Sequence, residues 1–249
     1  MKLAQRLQAL PPYFFAGLHR KVASLSAQGV DVIRLDMGSP DLPPAPHIIA
    51  ALQQAAARPD THGYATGAVN RRFAEAAATY YGRRFGVELD PQREVTGLIG
   101  SKEGVAHIHW AFVDPGDAVL VPDPGYTGYP PAIRLAGGEP VSVPLLAEND
   151  YLPDFAALPP GVLERARGAR VAILWLNYPH NPTGAFAPPE TFQQAIELAH
   201  RYGFLLCHDA PYMDVTFDGS QPMSILQFPG AREVAVEFNS LSKTYNMTG

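Results

Sequence analysis

From about residue 90 onward the chain alternates short apolar runs with stretches of helical periodicity, and few architectures accommodate that order. Six runs read as strands: EVTGLIGS, DAVLVPDPG, EPVSVPLL, VAILWLNYP, FLLCHDAPY and VAVEFNSLS. KEGVAHIHWAFV and PPETFQQAIELAHRYG, lying between them, carry apolar residues at helical spacing. Apolar runs bounded by turn residues suit strands covered on both faces, and strands that alternate with helices suit parallel pairing. The expectation is an α/β fold with a mostly parallel, doubly wound sheet of six strands.

The N-terminal part reads differently. Residues 11–29, PPYFFAGLHRKVASLSAQG, open on prolines suited to a first helical turn and close on Gly29, with Phe14, Leu18, Val22 and Leu25 on one face. VDVIRLDMG then gives a short extended segment, and the proline-rich GSPDLPPAP leads into a second helix over 46–58. This organisation predicts an arm and the start of a small domain over 1–45, followed by a large domain over 46–249.

Composition narrows the partners. A chain of 249 residues that is 47% hydrophobic and 17% charged belongs with ordered globular proteins. A net charge of −5 with no run of like charges argues against nucleic acid and anionic membrane as partners, and for small molecules. The longest apolar run, VAILWL, is far short of a membrane span. Cys207 is the single cysteine, sits in FLLCHDA and has no partner for an internal disulfide, so a reducing cytoplasm is the expected location. His62, His107, His109, His180 and His208 show no metal-ligand spacing, and structural roles are expected of them.

The polar residues cluster where the strands should end. GSKEG, DPGY, NYPHNPTG, DAPY and SLSK each follow an apolar run. In open α/β sheets the ligand crevice lies at the carboxyl ends of the strands, so these exits should converge. GSKEG offers Ser101 and successive amides at a turn that opens a helix. That suits a phosphate, and it equally suits a serine that only caps the helix. The glycines do not have dinucleotide-fingerprint spacing, and no P-loop motif occurs. Asp209 follows an apolar strand, where a carboxylate out of water needs a cationic partner, although a solvated strand-end aspartate would look the same. Tyr212 adds a phenol, and Asn181 an amide beside an X-Pro bond open to the cis form. Lys243 directly follows a strand, and a lysine drawn into a partly desolvated crevice becomes a nucleophile toward carbonyls. A phosphate cradle, an isolated carboxylate, a phenol, an amide and a lysine are together what pyridoxal phosphate requires.

Those five motifs in that order resemble the class I/II aminotransferases of fold type I, and YFFAGLHRKVASL with DMGSPDLPP is similar to the LL-diaminopimelate aminotransferase group. The resemblance implies pyridoxal 5′-phosphate as cofactor and ping-pong transfer of an amino group between an amino acid and a 2-oxo acid. It implies that Lys243 carries the cofactor covalently and shuttles a proton, while Asp209 pairs with the pyridine nitrogen. Tyr212 and Asn181 would bond the ring's phenolic oxygen. Ser101, the Lys102 amide and Ser240 would hold the phosphate, and Tyr126 would stack on the ring. Tyr64, before Gly67, would reach the phosphate of a neighbouring subunit, which implies a homodimer, and Gly38 with Asn181 would lie near the substrate.

The family continues past SLSKTYNMTG with a phosphate-binding arginine, an antiparallel strand and a small domain bearing the arginine for the substrate carboxylate. A fragment of a longer enzyme is therefore the expectation, with the edge of the last strand uncovered. Three rivals share part of the pattern. A carbon–sulfur β-lyase would use most of the same motifs, and an inactive module of this fold would bind without turnover. A serine acyl-hydrolase would use Ser240 and Lys243 as S-x-x-K, but its companion S-D-N and K-T-G motifs are absent.

Overall fold

The computed structural model describes residues 1–64, 68–158, 161–163, 170–217, 219–221 and 223–249. Helices α1 (Gln5–Gln8), α2 (Phe14–Ala27), α3 (Pro46–Ala56), α4 (Ala68–Phe85) and α5 (Ser101–Phe112) come first. Strand β1 (Ala118–Asp123), α6 (Tyr129–Ala136) and β2 (Glu139–Pro144) follow, then β3 (Val171–Leu176), α7 (Pro189–Tyr202) and β4 (Leu205–Asp209). The chain closes with α8 (Ala231–Val234), β5 (Ala235–Phe238) and α9 (Leu241–Thr244). Proline and glycine set the limits of the crossover helices. Prolines stand in the first turns of α6 and α7, while Gly137 (φ 95°) and Gly203 (φ 74°) end them in the left-handed conformation that glycine adopts without a Cβ penalty.

All four strand pairings are parallel, in the order β2-β1-β3-β4-β5. Side chains of the strands alternate between two cores, as the two-residue period of a strand requires. Leu120, Leu174, Leu176 and Leu206 meet Phe192, Ala195 and Ile196 of α7 on one face. Val119, Val121, Trp175, Cys207 and Phe238 meet Val105 of α5 and Tyr129 and Ile133 of α6 on the other. The sheet is therefore doubly wound, as the alternation of runs and helices predicts. No helix among the described residues is long and apolar enough to cross a membrane.

The sequence predicts six strands, and the described residues form five. The run EVTGLIGS is the exception: residues 95–98 join no ladder, and Ile99 is 95% exposed. An apolar run becomes a strand only beside backbone groups free to pair with it. This one lies instead against helices, with Gly97 under the Phe73 ring and Leu98 against Gly104 of α5. β5 pairs only with β4, so its outer edge is open among the described residues, as expected. The first two helices form where predicted, α3 ending at Ala56. None of residues 1–64 is buried.

Candidate active site

Asp209 ends β4 on the face covered by α5 and α6, with 5% of its surface exposed. Tyr129, in the first turn of α6, donates from its hydroxyl to Asp209 Oδ2 at 2.7 Å. Asn177, the first residue beyond β3, donates from Nδ2 to the Asp209 carbonyl at 2.6 Å. The second carboxylate oxygen, Oδ1, is buried and has no hydrogen-bond partner among the described residues. Burial pushes the Asp209 carboxyl up to about 6, and the Tyr129 bond and the neighbouring His208 pull the other way. A buried carboxylate with one oxygen unmatched is expensive to keep, so it points to a cationic donor from outside the chain.

Tyr129 is itself held from beneath. Its ring stacks on Trp175 at 4.7 Å between centroids, and Trp175 Nε1 donates to His109 Nε2 at 3.0 Å. Burial lowers His109 to about 4, which keeps that nitrogen free to accept. Tyr126, at the β1 exit, meets Tyr129 edge-on at 5.3 Å and is half-buried. Asn181 is half-buried at the β3 exit, its backbone amide donating to Asn177 Oδ1 at 3.0 Å, and the Asn181–Pro182 bond is cis.

Lys243 does not directly follow the strand as the sequence suggests: β5 ends at Phe238, Ser240 caps a new helical turn, and Lys243 lies on that short helix, α9. Its Nζ donates to the Gly38 carbonyl at 3.2 Å and stands 5.9 Å from the centroid of the Tyr212 ring. Tyr212 is half-buried just past β4. Burial, then the charge of Asp209, then Tyr126 raise its phenol above the ordinary value. The fold thus joins the β3 and β4 exits through Asn177, and Lys243 to both Tyr212 and Gly38.

Ser101 opens α5 as its first helical residue, and the position before it is Gly100, with φ 86° and no side-chain cap. The serine is therefore not the cap of this helix. Its hydroxyl and the first amides of α5, that of Lys102 included, make the positive end of a helix of 12 residues. Ser240 does cap α9, accepting from the Ser242 amide at 3.2 Å, which leaves its own proton to donate. Tyr64 has a side chain 94% exposed. Gly67 lies outside the described residues.

Tyr129 and Asn177 were missed by sequence reasoning. Both stand inside quoted exit motifs or three residues beyond one, so a signal was available. What the sequence could not supply was the reach of α6 across β3 to β4.

A doubly wound parallel sheet whose exits carry a buried aspartate, a phenol, a helix N-terminus and a lysine on a short following helix is the arrangement of an α/β fold of the aminotransferase kind. The family model for aminotransferase class I and II matches residues 30–249, and the chain belongs to that family. It is 53% identical over 246 residues to an LL-diaminopimelate aminotransferase of Desulforudis audaxviator, covering 99% of this chain and 62% of that protein. Among solved structures, apo-BacF from Bacillus subtilis superposes with a TM-score of 0.90 at 36% identity, covering 100% of this chain and 62% of the other. A probable N-succinyldiaminopimelate aminotransferase from Thermus thermophilus gives 0.87 at 41%, covering 94% and 62%. The chain spans about 62% of the length of the curated relative it matches.

The residues present fit the family's cofactor. A protonated pyridine nitrogen is the cationic donor that the unmatched Asp209 Oδ1 lacks. The uncapped N-terminus of α5 suits a phosphate.

Proposed function

We propose that this site binds pyridoxal 5′-phosphate and transfers an amino group from an amino acid to a 2-oxo acid, with a diaminopimelate-type amino acid as the substrate class. The unmatched buried oxygen of Asp209 carries the reading, because it is shielded from bulk solvent and none of the described residues serves it. The substrate class rests on the name of the Desulforudis relative and its 53% identity.

In this reading the bound cofactor supplies an electron sink for bond breaking at the substrate α-carbon. Asp209 holds the proton on the ring nitrogen, and Tyr129 keeps its carboxylate oriented. Tyr212 and Asn181 would hold the cofactor's phenolic oxygen, and Tyr126 would lie against its ring. Ser101, the Lys102 amide and Ser240 bind the phosphate. Lys243 would hold the cofactor through Nζ, and as an amine it would be the group that carries the substrate α-proton. Gly38, already at Lys243 in the structure, borders the substrate carboxylate together with Asn181. Residues 1–45 act as an arm distinct from the large domain, supported by the absence of buried side chains there.

Pyridoxal phosphate added to the purified chain should produce a near-visible absorption band, and borohydride reduction should leave the cofactor mass on the peptide bearing Lys243. Lys243→Ala should lose both. Attachment at another lysine, or an unchanged band in the variant, would contradict the assignment. Amino transfer from diaminopimelate to a 2-oxo acid then tests the substrate class. A homodimer is part of the same proposal, with the exposed Tyr64 reaching the partner's phosphate. Sedimentation should give twice the 26.9 kDa of one chain, and a monomer at every concentration would refute it.

A further inference from the structure

Directly behind the site, on the opposite face of the sheet, lies a second polar cluster that the proposed chemistry does not use. His208 precedes Asp209 on β4 and stands in register with Glu237 on β5, as Asp209 does with Phe238. The two side chains are 0% and 1% exposed, and His208 Nδ1 is 2.8 Å from Glu237 Oε2. The other ring nitrogen, Nε2, is 3.0 Å from the carbonyl of Tyr178 at the β3 exit.

The hydrogen positions follow from counting donors. Glu237 Oε1 accepts from the Tyr81 hydroxyl at 2.7 Å and from Ser224 Oγ at 3.0 Å. Ser224 Oγ already accepts from the Leu226 amide, so its own proton is free for Glu237. Glu237 Oε2 accepts from the Ile225 amide at 2.9 Å. Three donors fill three lone-pair sites of the carboxylate and the fourth faces His208 Nδ1, so a single proton lies in that contact, and the three other donors favour the charged carboxylate over the carboxyl. That places the shared proton on His208 Nδ1, which donates to Glu237. Nε2 faces a carbonyl, which can only accept, so it must donate as well. An imidazole that donates from both nitrogens is an imidazolium.

We infer that His208 and Glu237 form a buried imidazolium–carboxylate pair that acts as a positioning device for the site, keying the exits of β3, β4 and β5 to one another. The pair ties the Tyr178 carbonyl, between Asn177 and Asn181, to the strand carrying Asp209 and to the strand leading into Lys243. Tyr81 of α4 and the 3₁₀ turn at Ile225–Gln227 close over it. Phe192 of α7 packs edge-on against the His208 ring at 5.1 Å and excludes water. The cation also stands next in sequence to Asp209 and favours its ionised form, the form the cofactor needs. That consequence rests on the proposed function, whereas the charge assignment does not. The groups that act on Asp209 are Tyr129 from α6, Tyr212, Cys207 and His208. Glu237 is the one ionised group bonded to His208 among the described residues.

Nitrogen NMR of the chain labelled with ¹⁵N-histidine, without cofactor, tests the assignment, with the His208 signals identified by their loss in His208→Gln. At neutral pH both ring nitrogens should carry protons, and in Glu237→Gln the ring should become a neutral tautomer. An unaltered chain in which none of the eight histidine rings carries both protons overturns the pair, and that reading needs no variant to fold. The positioning role is read on Asp209, from the carboxyl ¹³C titration assigned with Asp209→Asn. His208→Gln should move its midpoint upward and weaken pyridoxal phosphate binding, while His208→Lys should restore part of the shift. An unmoved Asp209 midpoint overturns the role. Both NMR measurements are made without cofactor, so failure of the unaltered chain to bind pyridoxal phosphate would refute the functional reading alone.

Discussion

Asp209 is the residue at which stability and function oppose each other. Its carboxyl rises from 3.8 to about 6 on burial, so between those values the folded chain holds a proton that the unfolded chain releases. Stability from this group is therefore fully present below about pH 4 and is lost as pH rises through about 6. The size of the shift sets an upper bound of about 3 kcal/mol on the cost at neutral pH. Asp209→Asn should accordingly stabilise the cofactor-free chain at neutral pH, by up to that amount, and lose the advantage near pH 4. An asparagine still offers Tyr129 an oxygen. Urea unfolding at the two pH values checks this, and a variant less stable than the unaltered chain at neutral pH would contradict it. Tyr129→Phe should act in the opposite sense. It removes the remaining side-chain donor to a buried charge, a loss of about 1.5–3 kcal/mol, and the loss should shrink near pH 4, where the carboxyl is protonated. The same unfolding series measures both.

Among the elements, α5 shows how a single glycine sets the distance between a helix and the strand behind it. A Cβ at Gly104 would lie 2.5 Å from Phe238 Cε1 and 2.6 Å from Leu98 Cδ1. Two effects compete in Gly104→Ala. Helix propensity favours alanine by about 1 kcal/mol, and overpacking costs about 1–3 kcal/mol. Phe238 cannot turn away freely, because its ring packs on Trp175 at 5.4 Å between centroids. Overpacking should win, with a lower urea midpoint and a displaced N-terminus of α5 that weakens pyridoxal phosphate binding. A stabilised variant would show that Phe238 yields. Legibility from sequence divides along the same line. The strands β1 to β5 and helices α5 and α7 were readable because each carries its period and its glycine or proline stop within one segment. The places of Asp209, Tyr212, Asn181 and Lys243, at or a few residues past strand exits, were readable in the same way. EVTGLIGS read as a strand because period and composition cannot report whether a neighbour is available to pair. Tyr129, Asn177, Glu237 and His208 escaped because their work lies in contacts between segments 29 to 80 residues apart in sequence.

Across the whole molecule, burial is distributed unequally, and that makes a prediction independent of any cofactor. The core residues run from Ala74 to Phe238, whereas none of residues 1–64 is buried. Large apolar side chains in that first part face outward, Ile33 at 80%, Leu35 at 92%, Leu42 at 67% and Leu52 at 68% exposed. Local opening costs little where few side chains are buried, and a protease needs an opened segment of several residues. Of the six lysines and arginines there, Arg20, Lys21 and Arg34 lie inside the segment 14–45 and offer trypsin sites, and the Arg34–Asp36 pair is too exposed to protect the last of them. Arg170, by contrast, borders β3 and is bound to Asp117 and to the Phe112 carbonyl. Brief trypsin treatment of the chain should therefore cut at Arg20, Lys21 or Arg34 well before Arg134, Arg170 or Arg201, leaving products uncut at those three positions. Mass spectrometry of the early products decides it. Cleavage within the sheet as fast as within the first 64 residues would mean that the two parts open together, and that the arm draws stability from the sheet through contacts such as Lys243 with Gly38.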